Sequence, residues 1–459
     1  MEGETVRRKK IVLIGAGSAV FTRGLAADLI QAADLGPWTL GLVDIDPEAL
    51  GTAEQLVGRM VEARGADIAL QASTDRRGVL PGADVVVTTI GVGGRRAWEA
   101  DVLIPRQYGI YQPVGDTVMP GGISRAMRMI PALVDIARDA HALCPDAWFI
   151  NYSNPMTANC WAIRVATGVP VVGLCHGTFH VQRQLAAFVG APPHEVSSLY
   201  AGLNHLTFIY DLRWKGQDAW PLARAHLRAA PGSACGWGGS AGADPETSFA
   251  AENPFSWSLF EAYGAYPSAN DRHVVEFFPE RFPHGSYYGR TLGVDAYSFE
   301  RTIAGGDRTY AAMRAQAHGE TPLDEAIFRR GPGEHEQLVE ILRCIWADER
   351  QVFAANLPNR GAVPGLPDDA ILELPAVSTA RGLHALQLPD FPETLTGIVA
   401  RKLSAIRLTV AAALEGKRRL FYEALLADGA VTDPAAAERM GEELLGAHRA
   451  HLPQFFPQG

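Results

Sequence analysis

Short apolar runs separated by longer amphipathic stretches organise the first half of the chain. Runs over 11–14, 39–43, 85–89, 148–150 and 169–174 predict buried strands. Between the first two, Phe21, Leu25 and Leu29 recur every four residues and predict a helix. Between the next two, Pro47 stands where a first helical turn would begin, and Leu56, Met60 and Ala63 continue one face. Strands alternating with helices imply a parallel sheet with right-handed crossovers, which binds ligands at the carboxyl ends of its strands. The second half reads differently. A strand is expected over 206–212 and a long surface loop over the Gly- and Ser-rich stretch 231–245. Leu338, Ile341, Leu342 and Ile345 mark an amphipathic helix. One long helical stretch is expected over 395–426, with Ile398, Leu403 and Leu408 among its apolar positions. No repeat is evident.

Composition narrows the class. The 459 residues are 47% hydrophobic and 20% charged, as in ordinary globular proteins. A net charge of −10 argues against a nucleic-acid or anionic-membrane partner. No apolar run approaches the roughly 20 residues of a membrane span. Arg7-Arg8-Lys9-Lys10 before an apolar run resembles a signal peptide, but the run is short and meets glycines, so it predicts a first strand. Cysteines 144, 160, 175, 235 and 344 are scattered and odd in number, which suggests no disulfide framework and a reducing, cytoplasmic setting.

Gly15-Ala16-Gly17-Ser18 follows the first strand and opens the first helix. Such glycines let the backbone approach a pyrophosphate, which the free N–H groups of a helix start then bind. The third glycine of the usual fingerprint is replaced by Val20. Asp44 ends the second strand, where a carboxylate accepts hydrogen bonds from a ribose diol and repels a 2′-phosphate. NAD is therefore the expected cofactor, with Gly15, Gly17, Ser18, Asp44 and Thr89 as its contacts. Thr88 and Gly91 would continue the wall.

Three further motifs lie beyond: Asn151-Tyr152-Ser153-Asn154-Pro155-Met156, Gly173-Leu174-Cys175-His176-Gly177 and Gly202-Leu203-Asn204-His205. The first two follow strand ends. Asn154, held extended before proline, can offer its amide to a substrate hydroxyl. Cys175 and His205 can offer a thiolate and an imidazole to one metal ion. A small core cysteine and a hydrogen-bonded structural histidine would give the same spacing. Spacing alone supports an NAD-dependent α/β enzyme with a polar site.

Taken in order, these motifs, with Asp44-Ile45-Asp46 and the stretches 111–122 and 361–375, resemble glycoside hydrolase family 4 over nearly the whole chain. The family is an exception to two-carboxylate glycoside hydrolysis. The resemblance implies a Rossmann-type dinucleotide-binding domain, here 1–200, and a mixed α/β substrate, metal and oligomerisation domain, here 201–459. That fold is similar to lactate and malate dehydrogenases. It implies Mn2+ or another divalent ion on Cys175 and His205, and sugar contacts from Asn154 and Asn204. It also implies a homodimer or homotetramer. The implied reaction oxidises the sugar at C3 with NAD, removes the acidified C2 proton, eliminates the C1 substituent, adds water and returns the hydride.

The segment from Ala269 to Glu276 resembles the one that carries the C2 base, and Asp271 is expected to serve, with His273 as second choice. His176 is the expected general acid. Cys175-His176 and the stretch from Asp116 through Pro131 look most like the branch acting on unphosphorylated α-galactosides and α-hexuronides. A uronate carboxylate would need a cation, for which Arg95, Arg96 and Arg290 are candidates. The rival reading is an NAD-dependent 2-hydroxy-acid dehydrogenase on the same fold, which would accumulate NADH.

Overall fold

The computed structural model describes residues 7–18, 21–229, 245–329 and 336–457. Its first half contributes β1 (Lys9–Ile14), α1 (Phe21–Gln31), β2 (Trp38–Val43), α2 (Pro47–Arg64), β3 (Ile68–Ser73), α3 (Arg76–Val79), β4 (Val85–Thr88), α4 (Gly94–Gln107), α5 (Met119–Leu143), β5 (Trp148–Asn151), α6 (Met156–Thr167) and β6 (Val171–Gly173). The six strands are parallel in the order β3-β2-β1-β4-β5-β6, the order of dinucleotide-binding sheets. Both faces are covered. Val12 and Val86 join one buried cluster, while Ile11, Leu13, Val85 and Val87 join another. That double burial is why these strands read as unbroken apolar runs. Local chemistry agrees at α2: Asp46 accepts from the N–H groups of Glu48 and Ala49, Pro47 begins the helix, and Gly65 ends it at φ 57°.

The chain continues through α7 (Gly177–Phe188), β7 (Val196–Leu203), β8 (Leu206–Trp214), β9 (Gln217–Asp218), α8 (Trp220–Ala229), α9 (Pro245–Glu252), α10 (Pro254–Tyr263), β10 (Tyr266–Pro267) and α11 (Asn270–Val274). Then follow β11 (Ser286–Tyr287), β12 (Arg290–Thr291), α12 (Phe299–Ala317), α13 (Glu336–Ala347), β13 (Val352–Pro358), β14 (Ile371–Thr379), β15 (Gly382–Ala385), α14 (Glu393–Glu415), α15 (Arg418–Asp428) and α16 (Pro434–Ala447).

The antiparallel β13–β14 hairpin is wedged between β6 and β7, so one sheet runs through both halves. The boundary expected at residue 200 falls inside β7. The single helix expected over 395–426 is two, α14 and α15, broken at Gly416 (φ 64°). A Cβ at Gly416 would stand 2.2 Å from the Gln454 carbonyl oxygen. The helix expected from Leu338 is α13, and Leu338, Ile341, Leu342 and Ile345 are all buried. The loop expected over 231–245 lies outside the described residues, save Pro245, which opens α9. None of the four described cysteines forms a disulfide, and no described helix is long and apolar enough to cross a membrane.

Candidate active site

The expected dinucleotide contacts converge at the carboxyl ends of β1, β2 and β4. Gly15 adopts φ 98°, and a Cβ there would stand 2.8 Å from the Thr89 carbonyl oxygen and the Ile90 nitrogen. Only glycine permits both the turn and that approach. The Thr89 hydroxyl donates to the Gly15 carbonyl at 3.1 Å, and the Gly17 N–H donates to Asp44 Oδ2 at 2.7 Å. Ser18 stands at the start of α1 and offers its hydroxyl to the Phe21 N–H. All five residues expected to hold the dinucleotide are thus neighbours.

From this loop a chain of polar contacts leads to the second half of the site. Ser153 donates to the Ile90 carbonyl, the Asn154 carbonyl accepts from Arg125 Nε, and Asn154 Nδ2 donates to Asp116 Oδ2 at 2.9 Å. The Thr117 hydroxyl donates to Asp116 Oδ1 at 2.7 Å and lies 2.8 Å from His205 Nδ1. A carboxylate accepts only, so the hydroxyl proton belongs to Asp116 and His205 Nδ1 must donate to the threonine. The lone pair of His205 is then on Nε2.

His205 stands at the tip of the two-residue turn joining β7 to β8, at φ 69° and 6% exposed. A buried non-glycine residue in that region costs about 1 kcal/mol or more and needs a surrounding that fixes it. The His273 ring packs 4.0 Å from it, centroid to centroid, and His273 Nδ1 is buried without a hydrogen-bond partner. One ligand atom from each of Asp116, His205 and His273 lies within 4.8 Å of the other two.

Electrostatics prepare this cluster for a cation. Burial opposes ionisation of Asp116, but the facing histidines, the Arg125 guanidinium and the Thr117 hydroxyl outweigh it and hold the carboxyl below its usual range. Burial lowers His205 to about 4 against the pull of Asp116, and lowers His273 well below its ordinary value. Near neutrality the cluster is one carboxylate and two neutral imidazoles, the protonation that metal binding requires.

A cavity of about 250 Å³ opens here, lined by Cys175, His176, His205, Asn270, Arg272 and His273 among others. Cys175 and His176 immediately precede α7, and the Gly177 N–H points at the sulfur from 3.4 Å. Cys175 and His205 therefore share one cavity, although the sulfur stands outside the 4.8 Å cluster.

Other expected positions differ. Asp271, expected as base, does not line the cavity. Its oxygens accept from the Phe255 and Ser256 N–H groups and from the Ser256 and Tyr287 hydroxyls, tying α11 to the start of α10. Burial raises its pKa, with those donors pulling the other way. His273, two residues on, is the one that faces the cavity. Asn204 is fully buried and outside the cavity lining; its amide donates to Glu373 at 3.2 Å. Arg290 is exposed on β12 away from the lining, and Arg95 and Arg96 pair with Asp307. The cation that does line the cavity is Arg272. Sequence reasoning missed Asp116 as a site residue; it lies in the family-like stretch 111–122 without a local motif of its own.

Glu276 sits behind Asp116. Burial raises its pKa to about 8, with the Val114 and Gly115 N–H groups opposing and the Asp116 charge adding to the rise. The folded state therefore holds this proton more tightly than the unfolded state. Its stabilising effect is full below the unfolded carboxyl value and is lost as pH rises to about 8. Glu276→Gln keeps an acceptor for both N–H groups and removes the titration. The melting temperature of this variant should fall less between pH 5 and 8 than that of the wild type, measured by calorimetry; parallel curves would refute it.

Comparison with known proteins places the chain. The description "Family 4 glycosyl hydrolase" matches residues 10–191, and "Family 4 glycosyl hydrolase C-terminal domain" matches 200–431. The chain is 31% identical to an α-glucosidase of Erwinia rhapontici, over 91% of this chain and 93% of that one. It is 30% identical to an α-galactosidase of Rhizobium meliloti (strain 1021), over 97% and 89%. An α-galacturonidase of Bacillus subtilis (strain 168) is also 30% identical, over 96% and 98%. A crystal structure of a Bacillus subtilis chain described as a glucosidase is similar with TM-score 0.81 at 28% identity, covering 95% of this chain and 100% of that one. A 6-phospho-α-glucosidase from gut microorganisms, in complex with NAD and Mn2+, has the same fold (TM-score 0.83, 19% identity, 98% and 100%). The lactate dehydrogenase of Eimeria maxima is a distant fold match (TM-score 0.51, 16% identity, 90% and 99%). By the family descriptions and the full-length relatives, the chain belongs to the family 4 glycosyl hydrolases.

Proposed function

We propose that the protein hydrolyses unphosphorylated α-glycosides, either α-galactosides or α-hexuronides, with bound NAD and a divalent ion such as Mn2+. The observation that carries this reading is the join between two sites. The glycine turn at Gly15 leads through Ser153, Asn154 and Asp116 to a cavity holding Cys175, His176, His205 and His273. When bound, NAD supplies a reversible hydride acceptor and the ion supplies a Lewis acid toward neighbouring sugar oxygens.

His205 and Asp116, with Cys175 across the cavity, would hold the ion. The neutral rings and ionised carboxylate described above fit it, and Asp116 adds the hard oxygen that manganese favours beside a soft sulfur. Asn154 stands between Asp116 and the dinucleotide loop, placed to orient a sugar hydroxyl. His273, neutral and with Nδ1 unpartnered, takes the role of C2 base in place of Asp271. His176, exposed and lining the cavity, would protonate the departing oxygen. Arg272 and the half-buried Arg125 bring positive charge to the site, which favours the hexuronide as the first substrate to try. Ile45, 88% exposed between Asp44 and Asp46, offers an apolar surface for the adenine.

The test is cleavage of nitrophenyl α-galactoside, α-glucoside, α-galacturonide and α-glucuronide with NAD, Mn2+ and a thiol reductant. Failure on all four overturns the proposed substrate class. Cys175→Ser should lower Mn2+-dependent turnover at least about tenfold; unchanged turnover would remove the sulfur from the metal set. A homodimer or homotetramer belongs to the same proposal, and sedimentation measures it.

A further inference from the structure

We propose that Glu373 is a positioning residue of the metal site, a buried carboxylate to which the segments carrying Cys175, His205 and His273 are all tied. This role rests on the metal reading above. Glu373 belongs to β14, in the hairpin wedged between β6 and β7, and pairs across from Gly202. Its side chain is 1% exposed.

Its hydrogen-bond partners are one amide and two hydroxyls. Oε1 accepts from the Thr178 hydroxyl at 3.0 Å and Oε2 from Asn204 Nδ2 at 3.2 Å, while the Thr207 hydroxyl shares its one proton between the Leu203 carbonyl at 2.9 Å and Oε2 at 3.2 Å. Thr178 lies in the first turn of α7, just after Cys175. Asn204 precedes His205 on the β7–β8 turn, and Thr207 is the second residue of β8. The Thr178 proton is directed at Glu373, so its oxygen accepts from the Ser268 hydroxyl 2.9 Å away. Ser268 leads into α11 and His273, and its N–H donates to the Thr207 carbonyl at 2.7 Å. One carboxylate therefore orders three segments that are far apart in the chain.

The arrangement explains two other features. It holds a buried non-glycine turn at φ 69° without a direct bond to His205 itself, whose Nε2 keeps its lone pair. It also accounts for Asn204, an amide turned away from the cavity with its Oδ1 unpartnered. Burial raises the pKa of Glu373 to about 7, and the three donors pull it back. In metal sites, groups that orient a ligand indirectly typically contribute tenfold to a hundredfold in metal affinity.

The experiment titrates Mn2+ into the full chain, reading free Mn2+ by electron paramagnetic resonance, with NAD affinity and metal-free melting measured in parallel. Glu373→Gln places an NH2 group against donors. It should weaken Mn2+ binding by about 10–100-fold with NAD affinity within about twofold of wild type. Thr178→Val, a milder cut in the same network, should weaken Mn2+ binding at least about threefold. A folded Glu373→Gln variant with unchanged Mn2+ affinity overturns the role, and so does an equal loss of Mn2+ and NAD affinity, which indicates general loosening. If that variant does not fold, Thr178→Val decides by the same criteria. A wild-type chain that binds no Mn2+ overturns the metal reading itself, a result distinct from equal affinity in wild type and variant.

Discussion

Stripped of dinucleotide and divalent ion together, the protein is expected to lose at least about a thousandfold of its glycosidase activity. Adding back both should restore it, and adding back either alone should not. The reason lies in how the carboxylates of the site are held. Two carboxylates poised about 5–10 Å apart across a glycosidic bond would allow ordinary acid-assisted hydrolysis. Here Asp116 is held ionised among histidines, and Asp271, Glu276 and Glu373 are fully buried in structural hydrogen bonds. The ligand cluster holds Asp116 alone among carboxylates, and Glu252 is the one carboxylate residue in the cavity lining. Absorbance of reduced nicotinamide should stay flat during turnover, because the hydride returns to the sugar in the same cycle. A rising signal would select the dehydrogenase reading. In heavy water the product should carry deuterium at C2; its absence would rule out elimination. Cleavage that persists after rigorous removal of both groups would contradict the mechanism outright.

The parallel half of the fold was legible because its strands are buried on both faces and so appear as unbroken apolar runs. β3 escaped because it is an edge strand with only Ile68 buried, and its pattern carries no such run. The β13–β14 hairpin escaped for a different reason. It is buried, yet it carries Asn356 and Glu373 at its centre, and its neighbours Gly173 and Gly202 lie some 170 residues earlier. Local periodicity cannot report a polar residue that a distant segment satisfies. The break at Gly416 was missed because apolar spacing continues on both sides of it, while the turn answers to Gln454. The cofactor residues were readable because glycines and an aspartate at strand ends carry their geometry locally. Asp116 was not, since its function depends on Asn154, Thr117 and His205 arriving from elsewhere.

Positions 271 and 273 show the same limit at the scale of two residues, and they yield a dissociation that can be measured. Positions 271 and 273 in a helix differ by about 200° around the axis, so one faces the core when the other faces the cavity. Asp271→Asn should act on stability. It sets an NH2 group among four donors, three at the start of α10 and Tyr287 on β11, and should cost about 2–4 kcal/mol, seen as a fall in denaturant midpoint. The refolded fraction should retain C2 exchange in heavy water. His273→Ala should do the reverse. Its ring makes no hydrogen bond through Nδ1, so the melting temperature should change little, while C2 exchange and turnover fall by about 10²–10⁴-fold. Mn2+ affinity separates the two roles open to this imidazole, which stands within ligand distance of Asp116 and His205. Affinity within about threefold of wild type marks His273 as the base, whereas a loss of about tenfold or more would make it a metal ligand and return the search for the base to the rest of the cavity.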